Sequence, residues 1–381
     1  MANRTNSRKN LRKDNVNGAY FDYSLLFITI FMVCFGLVML YSSSSYEATM
    51  EFGSSTYYLF SQLKATIIGI VGLIVVVKFD YHFFQKPVIS LLAYFGSLGI
   101  AALVVTPLGV SANGATRWIM LAGFSVQVCE IVKIGLIMFL AFVIEKKAKK
   151  LKNIGTFCMC MIYICISAGV IALVTSDLSS SIIIAGIGVV MLLIACPRIS
   201  YFIAMGVMGV SAFAGAIILE PYRLERVYVW LNPEKYSSSG GFQVLQSLYA
   251  LGSGGLFGKG LGKGIQKLGY VPEAQNDMIF TVICEELGAV GGIAVILMFI
   301  FMIWRFMIVS NNAPDLYGSL LVVGIMAHIS IQTVMNIAVV TNSMPNTGVT
   351  LPFMSYGGTS IMCLLVEIGI VLSVSKRIRF E

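Results

Sequence analysis

Asp277 closes the segment Pro272-Glu-Ala-Gln-Asn-Asp277 and opens a long apolar run. A carboxylate there can do one of two things. It can cap the helix that follows by accepting a backbone N–H, or it can take a proton from a substrate. The helix N-terminus would lower its pKa and burial would raise it, so both roles stand on local grounds. Glu285 and Glu286 lie two turns further into the same run, where a carboxylate needs a polar partner or a wet cavity. Gln127, Glu130 and Lys133 recur every third residue at the start of another apolar run. That spacing puts them on one helical stripe, where Glu130 and Lys133 can pair. They read either as a structural ion pair or as a cationic wall for an anionic lipid head group. Arg117 is either a loop charge or a phosphate ligand, since its planar fork suits phosphate oxygens; its neighbour Trp118 suits an interfacial anchor. Arg223 and Arg226 pose the same choice. Asp177, at a tight turn between two apolar runs, reads as a helix cap.

Other chemistries find little support. The run Gly258-Lys-Gly-Leu-Gly-Lys-Gly264 lacks the Ser/Thr and the spacing of a nucleotide loop. Its backbone amides with Lys259, Lys263 and Lys267 can nevertheless cradle a pyrophosphate. The eight cysteines fall in or beside apolar runs, and only Cys158 and Cys160 are close in sequence, so they read as small core residues. Two histidines, His82 and His328, are too few and too far apart for a metal ligand set. The net charge of +8 comes from basic residues in short scattered loops, which does not suit nucleic-acid binding.

The elements that carry these residues are membrane spans. Of 381 residues 57% are apolar and 12% charged, about half the charge of a soluble domain. A bilayer core takes about 20 apolar residues per helix. Such runs fall near 21–43, 62–80, 86–106, 126–144, 156–176, 179–196, 200–220, 277–305, 316–340 and 356–375. They are continuously apolar, which excludes an alternating β-barrel. The expectation is an all-α polytopic membrane protein of about ten transmembrane helices, with a long extracytoplasmic loop between helices 7 and 8. The first run is too long for a cleaved signal segment. Residues 1–20 form a basic cytoplasmic tail and 21–378 a single domain. With the N-terminus inside, 17 Lys/Arg lie on the cytoplasmic side and eight outside, which places both termini in the cytoplasm. Two outer segments break the short-loop pattern: 221–276, with ten glycines, and 341–356.

Ordered motifs along residues 20–378 resemble the SEDS family of cell-shape, division and sporulation proteins, whose branches are RodA, FtsW and SpoVE. They are Gly258–Gly288, including Asp277 and Glu285-Glu286-Leu-Gly288; Thr347-Gly-Val-Thr-Leu-Pro-Phe-Met-Ser-Tyr-Gly-Gly-Thr-Ser360; Gly114-Ala-Thr-Arg-Trp118; Gln127, Glu130 and Lys133; and Asn232-Pro233 with Gly241-Phe-Gln243. Ser176-Asp177-Leu178-Ser179-Ser180 and Gln127-Val-Cys-Glu130 depart from the family wording. The 272–277 and 349–352 wording is nearer FtsW and SpoVE than RodA.

The resemblance implies a peptidoglycan glycosyltransferase that polymerises lipid II on the outer face of the cytoplasmic membrane, in division, elongation or spore-cortex synthesis. It implies Asp277 as the base, partly desolvated. Arg117, Lys133, Glu130, Arg223, Lys267, Glu285 and Ser355 are then the candidates for holding substrate and its diphosphate. A divalent cation such as Mg2+ could share that task, though the sequence offers no ligand cluster for one. Implied partners are a class B penicillin-binding transpeptidase and other divisome or elongasome membrane proteins. Two alternatives remain: a lipid II flippase, and a non-catalytic scaffold of the wall-synthesis complex.

Overall fold

The computed structural model describes residues 20–378 apart from 113, 114, 122, 123, 219, 220 and 239; some side chains within its elements, Arg223 among them, also lie outside the described set. Among the described residues eight helices are long and apolar enough to cross a membrane. They are α1 (Tyr23–Phe52), α2 (Tyr57–Lys78), α4 (Pro87–Ala102, extended by one 3-10 turn), α6 (Ile154–Val174), α7 (Leu178–Ala195), α11 (Ile279–Asn311), α12 (Leu316–Val340) and α13 (Gly358–Ser375). Two further helices, α5 (Val128–Lys147) and α8 (Ile199–Ile218), coincide with the expected runs at 126–144 and 200–220. A one-turn α3 (His82–Gln85) precedes α4.

Helix boundaries follow local chemistry. Asp22, Asn153, Asp177 and Asp315 each accept a backbone N–H in the first turn of α1, α6, α7 and α12. Asp177 is thus the cap its position suggests. Pro87 opens α4, where its missing N–H costs nothing.

Burial divides the bundle into a centre and a rim. The hydrophobic windows of α12 and α13 are 72% and 78% buried in protein, against 28% for α2, α4 and α6. The rim helices turn residues such as Phe27, Leu92 and Leu173 outward, as a lipid-facing surface should. The centre is where charged residues can survive. Glu130 and Lys133 on α5, His328 on α12 and Glu367 on α13 are all buried there. The first and last described segments of the chain meet, where Tyr20 N–H donates to Ile378 O and Asp22 N–H to Ser375 Oγ.

Two findings correct the sequence reading. The fold is not wholly helical: residues 109–127 form a three-stranded antiparallel sheet, β1 (Gly109–Ala112), β2 (Ala115–Leu121) and β3 (Phe124–Gln127), in that order. Nor is 221–276 one irregular loop. It contains α9 (Pro221–Leu231) and α10 (Gly241–Ser253), each too short and too polar to register as a span. The glycine-rich remainder packs against a break in α11. Gly288 has φ +72° in the middle of that helix, and the loop satisfies the backbone groups this frees. Lys259 and Gly260 N–H donate to Glu285 and Glu286 O, and Ala289 and Val290 N–H donate to Gly255 and Leu256 O.

Candidate active site

A cavity of about 570 Å³ opens where the sheet, α5, the start of α7, α9, the end of 272–277 and the 346–360 segment converge. Its wall carries Arg117, Glu130, Lys133, Asp177, Arg226 and Asp277.

Asp277 does not cap α11. The cap position is Met278, and the helix begins at Ile279, so Asp277 stands just outside the span that was expected to include it. It is 7% exposed, and its Oδ1 has no hydrogen-bond partner. Burial pushes its carboxyl up to about 7; Glu273 adds to the rise, while its own backbone N–H and Arg226 oppose it. The backbone is held from α12: Asn336 Nδ2 donates to Asp277 O at 2.7 Å and to Val349 O at 2.8 Å. Gly348 leaves room beside the carboxylate, since a Cβ there would stand 3.9 Å from Asp277 Oδ2. Asp277 thus lines the cavity with its main chain fixed.

Opposite charge comes from three elements. Arg117 rides on β2, and its Nε is buried without a partner. The sheet that carries it is pinned to α13, because Thr359 Oγ1 donates to Ser125 O at 2.8 Å and accepts from Gln127 N–H at 3.2 Å. Arg226, on α9, donates through Nη1 to Asn346 O at 2.7 Å. Lys133 pairs with Glu130 at 2.6 Å, as their i,i+3 spacing suggests. Glu130 Oε2 remains unpartnered. Lys133 also reaches His328 Nε2 at 2.8 Å and Gln332 Oε1 at 3.3 Å.

Three expected site residues, Lys267, Glu285 and Ser355, do not line this cavity. Lys267 is buried against Glu286 at 2.6 Å and Ser42 at 2.8 Å. Glu285 takes Lys259 at 2.7 Å and the backbone N–H of Ile265 at 2.9 Å. Both carboxylates of the Glu285-Glu286 pair are therefore clamps that fasten the glycine-rich loop to α11. Glu285 finds its polar partners in this loop, and Glu286 in this loop and in Ser42 of α1, which lies 2.8 Å from both its oxygens, with no need of a cavity. Ser355 Oγ accepts from Leu351 N–H at 2.8 Å and shapes a turn. The Arg223 side chain lies outside the described residues.

Gln332 and Asn336 were missed by sequence reasoning, and His328 was weighed only as a metal ligand. Their signal was present: His328, Gln332 and Asn336 recur every fourth residue, one polar stripe on an otherwise apolar helix. Among the described residues no three His, Cys, Asp or Glu side chains gather as ligands.

Fold and site together define a multi-pass membrane protein whose central helices wall a charged cavity that includes a buried carboxylate with one unpartnered oxygen. The sequence pattern of the FtsW/RodA/SpoVE family, described as cell cycle protein, matches residues 23–379, and the chain belongs to this family. It is 38% identical over 362 residues to stage V sporulation protein E of Bacillus subtilis, covering 94% of this chain and 98% of that one. It is 38% identical over 363 residues to the "Probable peptidoglycan glycosyltransferase FtsW" of Trichlorobacter lovleyi, covering 95% and 94%. Among solved structures it superposes on a chain of a peptidoglycan synthase complex that coordinates polymerization and crosslinking, with TM-score 0.77, 23% identity and coverage of 93% and 97%. It also superposes on the rod shape determining protein RodA of Thermus thermophilus, with TM-score 0.68, 23% identity and coverage of 93% and 96%. These structural likenesses establish the shared fold.

Proposed function

We propose that this protein is a glycosyltransferase that polymerises peptidoglycan strands from lipid II at the outer face of the cytoplasmic membrane. The observation that carries the reading is Asp277: a buried carboxyl with a pKa near 7, whose Oδ1 has no hydrogen-bond partner, in one cavity with Arg117, Lys133 and Arg226. The hydroxyl of an acceptor sugar attacks the anomeric carbon of a donor sugar. The new bond is C–O, and the bond broken joins that carbon to the diphosphate of the lipid carrier. Asp277 takes the hydroxyl proton; a base works best when its pKa lies near the operating pH. The leaving diphosphate gains negative charge, which Arg117, Lys133 and Arg226 are placed to hold in a partly desolvated site. Glu130 keeps Lys133 charged and oriented.

The relatives' names support the reaction class, and the positive-inside pattern supports cytoplasmic termini. A class B penicillin-binding transpeptidase is proposed as partner, a reading supported by the likeness to a chain of a complex that coordinates polymerization and crosslinking. A divalent cation is proposed only as a companion of the substrate's diphosphate. Polymer lost in EDTA and restored by Mg2+ supports that, whereas polymer unchanged in EDTA overturns it.

The deciding experiment supplies lipid II to the purified protein and to its Asp277→Ala variant, each with the cognate transpeptidase. Glycan polymer from the wild type alone is expected. Equal polymer from both would sink the assignment of Asp277, and lipid movement across vesicles without polymer would favour a flippase.

A further inference from the structure

Behind the Lys133 wall lie two buried titratable groups to which the proposed chemistry gives no part. His328 on α12 and Glu367 on α13 are fully buried, and neither lines the cavity, although Lys133, Glu130 and Gln332 do. The titratable groups around them are Cys129, Glu130 and Lys133 on α5 and Cys363 on α13.

The contacts around His328 constrain which ring nitrogen carries the proton. Lys133 Nζ stands 2.6 Å from Glu130 Oε1, 2.8 Å from His328 Nε2 and 3.3 Å from Gln332 Oε1. An ammonium has donors and no lone pair, so toward Lys133 Nε2 can only accept. Gln332 Oε1, also an acceptor, lies 2.9 Å from Nε2 and shares the ammonium with it. The longer Lys133–Gln332 contact is the one a diphosphate oxygen can take over. The imidazole proton is then on Nδ1, which faces Glu367 Oε2 at 2.9 Å and Oε1 at 3.0 Å. Glu367 selects that tautomer, as a carboxylate beside one ring nitrogen does.

We propose that His328, held in this tautomer by Glu367, is a positioning residue that aims the Lys133 ammonium into the cavity. The inference rests on reading that cavity as the site of a lipid-linked diphosphate. Without the Nε2 acceptor one N–H of a buried ammonium has no partner, which is costly. Lys133 then turns toward Glu130 and away from the diphosphate.

Amide side chains separate the two ring nitrogens. At position 328 an Asn places its terminal group near Nδ1 and keeps the Glu367 contact; a Gln reaches the place of Nε2 and keeps the Lys133 contact. The full-length protein with its transpeptidase is assayed for lipid II polymerisation and for binding of undecaprenyl diphosphate, with thermal melting to confirm folding. His328→Asn should bind the diphosphate about tenfold more weakly than His328→Gln, the scale of one hydrogen bond to a charged group. KM for lipid II should rise in the Asn variant while kcat changes less. Glu367→Leu should follow His328→Asn, and Glu367→Gln should fall less. Equal loss in His328→Asn and His328→Gln, or no loss in either, overturns the proposal, as does a wild type that binds no undecaprenyl diphosphate. A wild type that binds the diphosphate and makes no polymer defeats the polymerase reading alone, and the binding comparison still decides this one.

Discussion

Asn336 holds the main chain of Asp277 with the same amide nitrogen that holds Val349, at 2.7 Å and 2.8 Å. One side chain on a central helix thus ties the two outer segments together at the carboxylate. Asn336→Ala should leave two buried carbonyls without a donor, at about 1–3 kcal/mol each. Polymerisation should fall about tenfold or more while the protein still melts cooperatively, because a small displacement of a catalytic group is expensive. Melting in detergent beside a lipid II assay checks this; full activity with a lowered melting temperature would show that Asn336 serves stability alone.

Asp277 makes activity depend on pH with a defined sign. As a base it works deprotonated, so kcat/KM should rise with pH through about 7 and level off above it. A flat profile from pH 5.5 to 8.5 would contradict the assignment.

Stability moves the other way. The folded carboxyl keeps its proton to about 7, while an unfolded Asp releases it near 4. The folded state therefore binds more protons between those values, and stability declines as pH rises across that window. Asp277→Asn removes the burden, so it should melt higher than wild type at pH 8 and close to it at pH 4, while making no polymer.

The Lys133–Glu130 contact predicts a non-additive pair. Both groups are buried, with 2.6 Å between them. Removing one partner of such a pair strands a charge, at about 3–5 kcal/mol, whereas removing both does not. Lys133→Met alone should therefore be less stable than the Glu130→Gln, Lys133→Met double variant. Thermal unfolding of the wild type, Glu130→Gln, Lys133→Met and the double variant measures the coupling, and additive shifts would mean that His328 and Gln332 already relieve the stranded partner.

The spans were legible because an apolar run needs no partner to be recognised. The expected runs at 126–144 and 316–340 fall within one or a few residues of Val128–Lys147 and Leu316–Val340. The Glu130–Lys133 pair was legible for a similar reason, its spacing being local. The sheet at 109–127 was not, because its short strands gain their order from pairing, such as Trp118 with Gln127, and from Thr359 more than 200 residues away. Lys267 misled for the same reason. A lysine in a glycine-rich outer loop suits an anion, and only the fold reveals that Glu286 and Ser42 already hold it.

Gly288 gives the sharpest test of the loop's attachment to α11. Its φ of +72° lies in the left-handed region, and a Cβ there would come within 2.3 Å of Leu256 O and 2.4 Å of Gly258 N. Alanine therefore meets both an unfavourable backbone conformation and a collision with main chain that cannot rotate away. Gly288→Ala should cost more than about 2 kcal/mol, and it should release the loop that Glu285 and Glu286 clamp. Gly169→Ala is the control: that site lies within α6 with nothing inside 4 Å, where alanine gains up to about 1 kcal/mol of helix propensity. Limited proteolysis should then cut Gly288→Ala within residues 254–270 and spare Gly169→Ala. Equal protection of both would mean that the break in α11 is not what fastens the loop.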